Sequence, residues 1–237
     1  MPITTPFKAV HAQFGANFAV YDGWEMPSDF GDVQAEHNAA VEHCAAFDLS
    51  CFGRITISSK AKEMLNGIIA AKSAKIFSDT WAWANIADTN GEIIDTVRIG
   101  RCEGRYIILT PAASRKPVYD LLHKLNSDSQ YPLSDITEST AMLGLYGPDS
   151  FTIAQKALPI DLSALEPGSI TDFDFFMMKL TMIRGSWTGS DGLEIICPVQ
   201  ASGLAAAAIG KYRDRENITA AGTEALNLAI AKRNAPL

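Results

Sequence analysis

The sequence predicts an α+β fold in two subdomains. Three observations predict it. A strand–helix–strands–helix order runs as far as Leu125 and starts again at Thr140. A strong hairpin signal, Thr89-Asn90-Gly91, sits between two β-prone runs and makes those neighbours antiparallel. The chain has 237 residues, of which 47% are hydrophobic, enough for a sizeable core, and nothing repeats at a fixed period as a solenoid would.

Residues 1–32 carry Phe7, Phe14, Phe18, Tyr21, Trp24 and Phe30 among glycines and prolines, which predicts an irregular layer packed on another element. Gly23 to Pro27 reads as a tight turn around Trp24. Val33 to Cys44 suits a helix with Ala40, Val41 and Cys44 on one face, broken by Asp48-Leu49-Ser50. Arg54 to Ser58 alternates as a strand, and Ser58 or Ser59 caps a helix carrying Met64, Leu65, Ile68 and Ile69. The hairpin follows, then a strand from Arg105 to Thr110 that Pro111 ends. A helix from Ser114 to Leu125 carries Val118, Leu121, Leu122 and Leu125 on one stripe. In the second unit, Thr140 to Tyr146 is a strand and Gly147-Pro148-Asp149 turns into a helix with Ile153, Ala154 and Ala157. Residues 172–184 read as one long strand and Leu193 to Cys197 as another, with helices over Gln200–Tyr212 and Thr223–Arg233.

The hairpin from Trp81 to Ile99 holds the first candidate chemistry. Asp95 stands among β-branched residues on the return strand, with two tryptophans on its partner. A lone carboxylate among aromatics is costly unless it is paired or useful. A two-residue Asn-Gly loop puts Ile86 opposite Asp95. A three-residue loop with Gly91 at positive φ puts Asn85 opposite Asp95 and gathers Trp81, Trp83, Asn85, Asp95 and Val97 on one face. The second register is the expectation, because it makes an aromatic-walled pocket with one carboxylate. The plainer alternative is a solvent-facing Asp95 over tryptophans that belong to the core.

A second stretch, Arg184 to Glu194, contains three glycines with Trp187 at its centre. Trp187 can serve as a stacking platform. Glu194 can accept two parallel hydrogen bonds from an N–H/NH₂ edge such as a pterin or guanine presents. The alternative is a plain glycine-rich connection ending in an exposed Glu194.

Bulk properties narrow the field. The net charge is -7 and no basic run exceeds Arg213-Asp214-Arg215, which argues against nucleic acid as a partner. No apolar run reaches about 18 residues, so no membrane span is expected. The four cysteines, Cys44, Cys51, Cys102 and Cys197, lack C-x-x-C spacing and follow no signal peptide, so they read as reduced thiols of a cytoplasmic protein. His37 and His43, six residues apart, fall out of phase on a helix and do not face one metal. His11 and His123 have no partner in sequence.

Seven stretches in order resemble one family: Thr5-Pro6-Phe7, Gly23 to Pro27, Glu36-His37, Phe47 to Ser50 followed by Gly53, Gly91 to Asp95, Leu145 to Pro148, and Trp187 to Glu194. Together they resemble the folate-binding half of the aminomethyltransferases, the T-proteins of the glycine cleavage system. The resemblance implies two intertwined subdomains of mainly antiparallel sheet with helices packed on one side, and no third, barrel-like domain. Residues 1–50 with 138–237 would form the first subdomain and 51–137 the inserted second.

The resemblance also implies that tetrahydrofolate binds in a central channel. Asp95 matches the family's catalytic aspartate and Glu194 the carboxylate that reads the pterin edge. Trp83 and Phe52 fall where the family places a pterin-contacting tyrosine and methionine. Trp187 replaces a tyrosine of the glycine motif, and Asn85 joins the pocket candidates. The implied activity is methyl or aminomethyl transfer from a small-molecule donor to tetrahydrofolate. The alternative is a non-catalytic folate-binding or scaffold subunit. The sequence departs from the family at Thr96, which replaces a second acid, at Ser190, which replaces a glutamate, and at Gly222 to Ala225, where an arginine is lost. The open face is therefore expected to be covered by a second copy or by a partner chain.

Overall fold

A computed structural model describes residues 1–70, 76–158, 160–175 and 177–234. Strand β1 (Ile3–Thr4), helix α1 (Lys8–Gln13), and strands β2 (Asn17–Tyr21) and β3 (Trp24–Asp29) come first. They form a three-stranded sheet in the order β1-β3-β2, where an irregular layer was expected. The turn expected over Gly23 to Pro27 is instead made by Asp22 and Gly23, both at positive φ (47° and 84°), and Trp24 to Pro27 lie in β3, paired with β2. Phe7 and Trp24 are buried anchors.

Helix α2 (Val33–Glu42) starts at Asp32, whose carboxylate accepts the Ala35 amide at 3.0 Å. Strand β4 (Ala45–Asp48) follows. The chain then builds β5 (Gly53–Ser58), α3 (Lys62–Asn66), β6 (Thr80–Ala87), β7 (Ile93–Cys102), β8 (Arg105–Thr110), α4 (Arg115–Leu125) and β9 (Leu133–Asp135). These strands make a five-stranded sheet in the order β6-β7-β8-β5-β9. Val118, Leu121 and Leu122 of α4 pack with Ile55, Ile57, Val97, Ile99 and Ile108 of that sheet. Ile68 and Ile69 lie just beyond α3, which ends at Asn66.

The remaining elements are β10 (Thr140–Tyr146), α5 (Ser150–Ala157), β11 (Ile170–Phe175), β12 (Met178–Arg184), β13 (Gly192–Pro198), α6 (Ser202–Arg213), β14 (Thr219–Ala221) and α7 (Thr223–Asn234). The long strand expected over 172–184 is instead the hairpin of β11 and β12, with Phe175 opposite Met178. Strand β14, unexpected from sequence, runs parallel to β4. The second large sheet has six strands in the order β11-β12-β13-β10-β4-β14. It takes β4 from before the five-stranded sheet and the rest from after it. The fold is thus α+β with antiparallel-rich sheets and helices, and no closed barrel among the described residues.

The chain leaves the six-stranded sheet through Leu49–Phe52 and returns through residues 136–139. Arg54 holds both crossings. Its guanidinium is buried and makes six hydrogen bonds, among them to the carbonyls of Leu49 (3.2 Å), Ser50 (3.1 Å) and Phe52 (2.7 Å) on the way out, and to Thr137 and Thr140 on the way back. Burial pushes its pKa down to about 10, which leaves it charged at neutral pH. The largest core cluster draws on both large sheets, with Phe47, Met142 and Ile196 from one and Ile107 and Leu109 from the other.

Candidate functional site

The hairpin of β6 and β7 turns through Thr89-Asn90-Gly91, with Gly91 at φ 85°. Asp88 closes the turn: its Oδ1 accepts the amides of Asn90 (2.8 Å) and Glu92 (2.9 Å), and its own amide donates to the Glu92 carbonyl at 2.8 Å. The three-residue loop is as expected, but the register it leads to is not. Ala87 pairs with Ile93 and Ile86 with Asp95, so Ile94 is an extra residue on the return strand. This one-residue bulge moves every later pairing by one. Asn85 lies opposite Thr96, not Asp95, and Trp83 lies opposite Arg98. The face of Trp81, Trp83 and Asn85 is therefore completed by Thr96 and Arg98, while Val97 and Ile99 point into the core of the five-stranded sheet.

Asp95 is half-buried at the bulge, where its Oδ1 accepts the Thr96 amide at 2.7 Å. It lines a cavity of about 560 Å³ with Phe52, Trp83, Trp187, Tyr21 and Arg233. That volume lies within the usual range for small-molecule sites, roughly 300–1,000 Å³. The walls are mutually packed rings: Phe52 and Trp187 are 4.8 Å apart between centroids, and Trp187 and Trp83 are 5.4 Å apart. Arg233 from α7 lies 4.3 Å over Trp83 and donates to the Trp187 carbonyl at 2.7 Å. Burial, and then the charge of Arg98, lower the Arg233 pKa.

The structure thus brings Asp95, Trp83, Phe52 and Trp187 around one cavity. Asn85 is exposed, accepts the Thr96 hydroxyl at 2.8 Å, and stays outside the lining. Glu194 is fully buried and does not line this cavity, so neither an exposed Glu194 nor one open to the slot is found. It sits on β13 opposite Gly144 and Ile183. Its Oε1 accepts from Arg98 Nη1 and from the Tyr146 hydroxyl, each at 2.6 Å. Burial, then the neighbouring Glu194 charge, push Tyr146 well above the ordinary phenol range, so it donates to Glu194.

Arg98 is the site residue that sequence reading missed. It is fully buried, and its guanidinium carbon lies 4.1 Å from the Trp81 ring centroid, 5.3 Å from Trp187 and 5.7 Å from Trp83. The available signal was the arginine itself, between apolar Val97 and Ile99 in a strand flanked by tryptophans. Gly185 makes room for this cluster: a Cβ there would lie 2.2 Å from Trp81 Cζ2, and Trp81 Nε1 donates to the Arg184 carbonyl at 2.9 Å.

Of the other sequence candidates, Cys51 also lines this cavity. His11 does find a partner, Asp48, at 2.9 Å, and Thr5 and Ser50 also donate to that carboxylate. The four cysteines are free and buried. Among the described residues, no helix is long and apolar enough to cross a membrane, and no three His, Cys, Asp or Glu side chains are placed to hold a metal.

Comparison with known proteins assigns this architecture. The chain is 30% identical over 199 residues to an aminomethyltransferase of Geobacillus thermodenitrificans, covering 83% of this chain and 54% of that protein. It is 28% identical over 205 residues to an aminomethyltransferase of Rubrobacter xylanophilus, covering 84% of this chain and 54% of the other. It therefore spans about half the length of the curated relatives it matches. Its fold matches the crystal structure of the glycine cleavage system aminomethyltransferase T from Bartonella henselae, with TM-score 0.85 and 22% identity over 100% of this chain and 64% of that one. A more distant likeness, TM-score 0.52 at 11% identity, is to a chain of heterotetrameric sarcosine oxidase from Corynebacterium sp. U-96, covering 86% of this chain and 94% of that one. The GCVT N-terminal domain matches residues 7–232, and the chain belongs to that family.

Proposed function

We propose that this chain is a reduced-folate-dependent one-carbon transferase module of the cytoplasm, moving a methyl or aminomethyl unit from a small-molecule donor to tetrahydrofolate, with Asp95 as the polar group at the reacting atoms. Residues 1–50 with 138–237 serve as one folate-binding subdomain and 51–137 as the second. The observation that carries the reading is the convergence of Asp95, Phe52, Trp83 and Trp187 on one cavity. A carboxylate beside a folate nitrogen can orient it and stabilise the positive charge that develops as carbon leaves its donor. Ring walls that exclude water strengthen that effect. The rings and Asp95 fit a flat heterocycle, whereas Glu194 fits one only once Arg98 has moved aside.

A second reading, a non-catalytic folate-binding or scaffold subunit, is favoured by the Arg98–Glu194 pair. In support, a chain of similar extent and fold belongs to a heterotetrameric oxidase. In either case a second copy or a partner chain would cover the open face of this cavity.

The first test is equilibrium titration with tetrahydrofolate, followed by folate mass spectrometry after incubation with N-, S- and O-methyl donors. Asp95→Asn keeps the shape and removes the charge; turnover is expected to fall at least 100-fold with folate affinity changed less than tenfold. Unchanged turnover would make Asp95 a binding residue, and failure to bind any reduced folate would sink the folate reading.

A further inference from the structure

We propose that Arg98 is an internal occupant of the slot in front of Glu194, and so the residue that decides whether the cavity admits a planar ligand carrying an N–H edge. The proposal rests on the reading above only in taking reduced folate as a probe; the occupancy itself rests on the geometry.

A guanidinium is flat, cationic and edged with N–H donors. In front of Glu194 it lies 4.1 Å from the Trp81 centroid, with Trp83 and Trp187 also within 6 Å, and it donates to the carboxylate at 2.6 Å. Those are the contacts that a 2-amino heterocycle would need: rings for its faces and a carboxylate for its edge. The same indoles border open space on two sides. Trp83 and Trp187 line the 560 Å³ cavity, while Trp81 and Trp83 line another of about 470 Å³ beside Gly185.

The way Arg98 is held separates it from the protein's structural arginines. Arg54 uses every guanidinium nitrogen. Arg105 grips Asp172 with both of its terminal nitrogens, at 2.6 and 2.8 Å. Arg98 meets Glu194 through Nη1 alone. Its Nε and Nη2, Glu194 Oε2 and Trp187 Nε1 are all buried with no hydrogen-bond partner. Buried polar groups are nearly always satisfied, so this cluster of donors and one acceptor is a recognition surface only partly used by the arginine. A ligand that displaced Arg98 would inherit Glu194 Oε2, the indole N–H and the place on Oε1 that Arg98 vacates beside the Tyr146 hydroxyl.

The test uses the full chain with Arg98→Ala, and with Arg98→Gln, whose shorter amide keeps a donor for Glu194 if the alanine variant does not fold. Both are scored by the same two probes. Millimolar methylguanidinium is expected to raise the Tm of the variant and quench its tryptophan fluorescence, with no effect on the wild type. Adding Glu194→Gln is expected to abolish both responses. Tetrahydrofolate is expected to bind the variant at least tenfold more tightly than the wild type. Occupancy is overturned if the variant ignores both probes. It is equally overturned if wild-type protein binds tetrahydrofolate and Glu194→Gln alone weakens that binding tenfold, for then Glu194 reads the ligand with Arg98 in place. A methylguanidinium response without any folate binding keeps the occupancy and defeats the folate reading instead.

Discussion

At the scale of a residue, Arg54 shows how one buried charge shapes a site it never touches. The carbonyls of Leu49, Ser50 and Phe52 turn inward to meet it, and this fixes the loop that sets Phe52 and Cys51 against the cavity. Arg54→Met keeps the bulk and removes every donor, leaving buried carbonyls dry at about 1–3 kcal/mol for each one that cannot reach water. A loss of at least about 3 kcal/mol in urea unfolding is the expected result. The same variant has a chemical readout. Burial, and then the charge of Asp48, push the Cys51 thiol to about 12, so native protein at pH 8 holds almost no thiolate there. Iodoacetamide should leave Cys51 of the wild type unmodified for hours and should label it faster in Arg54→Met, as peptide mapping would show. Equal labelling rates would mean that Arg54 does not hold the loop.

At the scale of an element, the hairpin of β6 and β7 shows what could be read from sequence and what could not. Thr89-Asn90-Gly91 made the loop legible, since Gly91 alone there takes a positive φ and Asp88 is well suited to close a turn. The bulge at Ile94 was not legible. Ile93 and Ile94 are alike in size and branching, so no local preference says which leaves the ladder, and the choice is made by packing of Val97 and Ile99 into the core behind. Phe52 is placed by the family resemblance and Trp83 by both the resemblance and the expected register, and both line the cavity with Asp95. The pairing of Arg98 with Glu194 joins residues 96 apart in sequence, and neither strand announces the other. Gly185 tests how firmly this element leans on its neighbour. Gly185→Ala must drive Trp81 away from the Arg184 carbonyl and off Arg98, at about 1–3 kcal/mol for a forced repacking. Thermal unfolding should show that loss, with a red shift in tryptophan emission as an indole reaches water. Unchanged emission would mean that the loop, and not Trp81, gives way.

At the scale of the whole molecule, the two large sheets are joined by close approach and by charge. Gly100 on β7 faces Ile170 on β11, where a Cβ would lie 2.6 Å from the isoleucine Cδ1, so the Ile170 side chain packs directly on the β7 backbone. Beside that contact, Arg105 of the five-stranded sheet forks onto Asp172 of the six-stranded one, and Thr181 adds its hydroxyl at 2.6 Å. Burial alone would raise the Asp172 pKa, but the Arg105 and Thr181 hydrogen bonds outweigh it and hold the carboxyl below its ordinary value. Asp48, which ties Thr5 and helix α1 to the crossing at Ser50, is likewise lowered against its burial by His11, Thr5 and Ser50. A carboxyl with a depressed folded-state pKa contributes its stability above the unfolded value, near 3.9, and loses it as pH falls through the folded value. Stability from these two joints should therefore be level from about pH 5 to 8 and fall below about pH 4. Asp172→Asn removes one joint: the neutral plateau should drop by about 2–3 kcal/mol, less than for a fully buried pair because Arg105 keeps some contact with water. The acid limb of the variant should be shallower than that of the wild type, since one of its titrating groups is gone. Urea midpoints measured from pH 3 to 8 on both proteins decide it: a lowered plateau with an unchanged acid slope would show that the fork holds the sheets together without setting their response to acid.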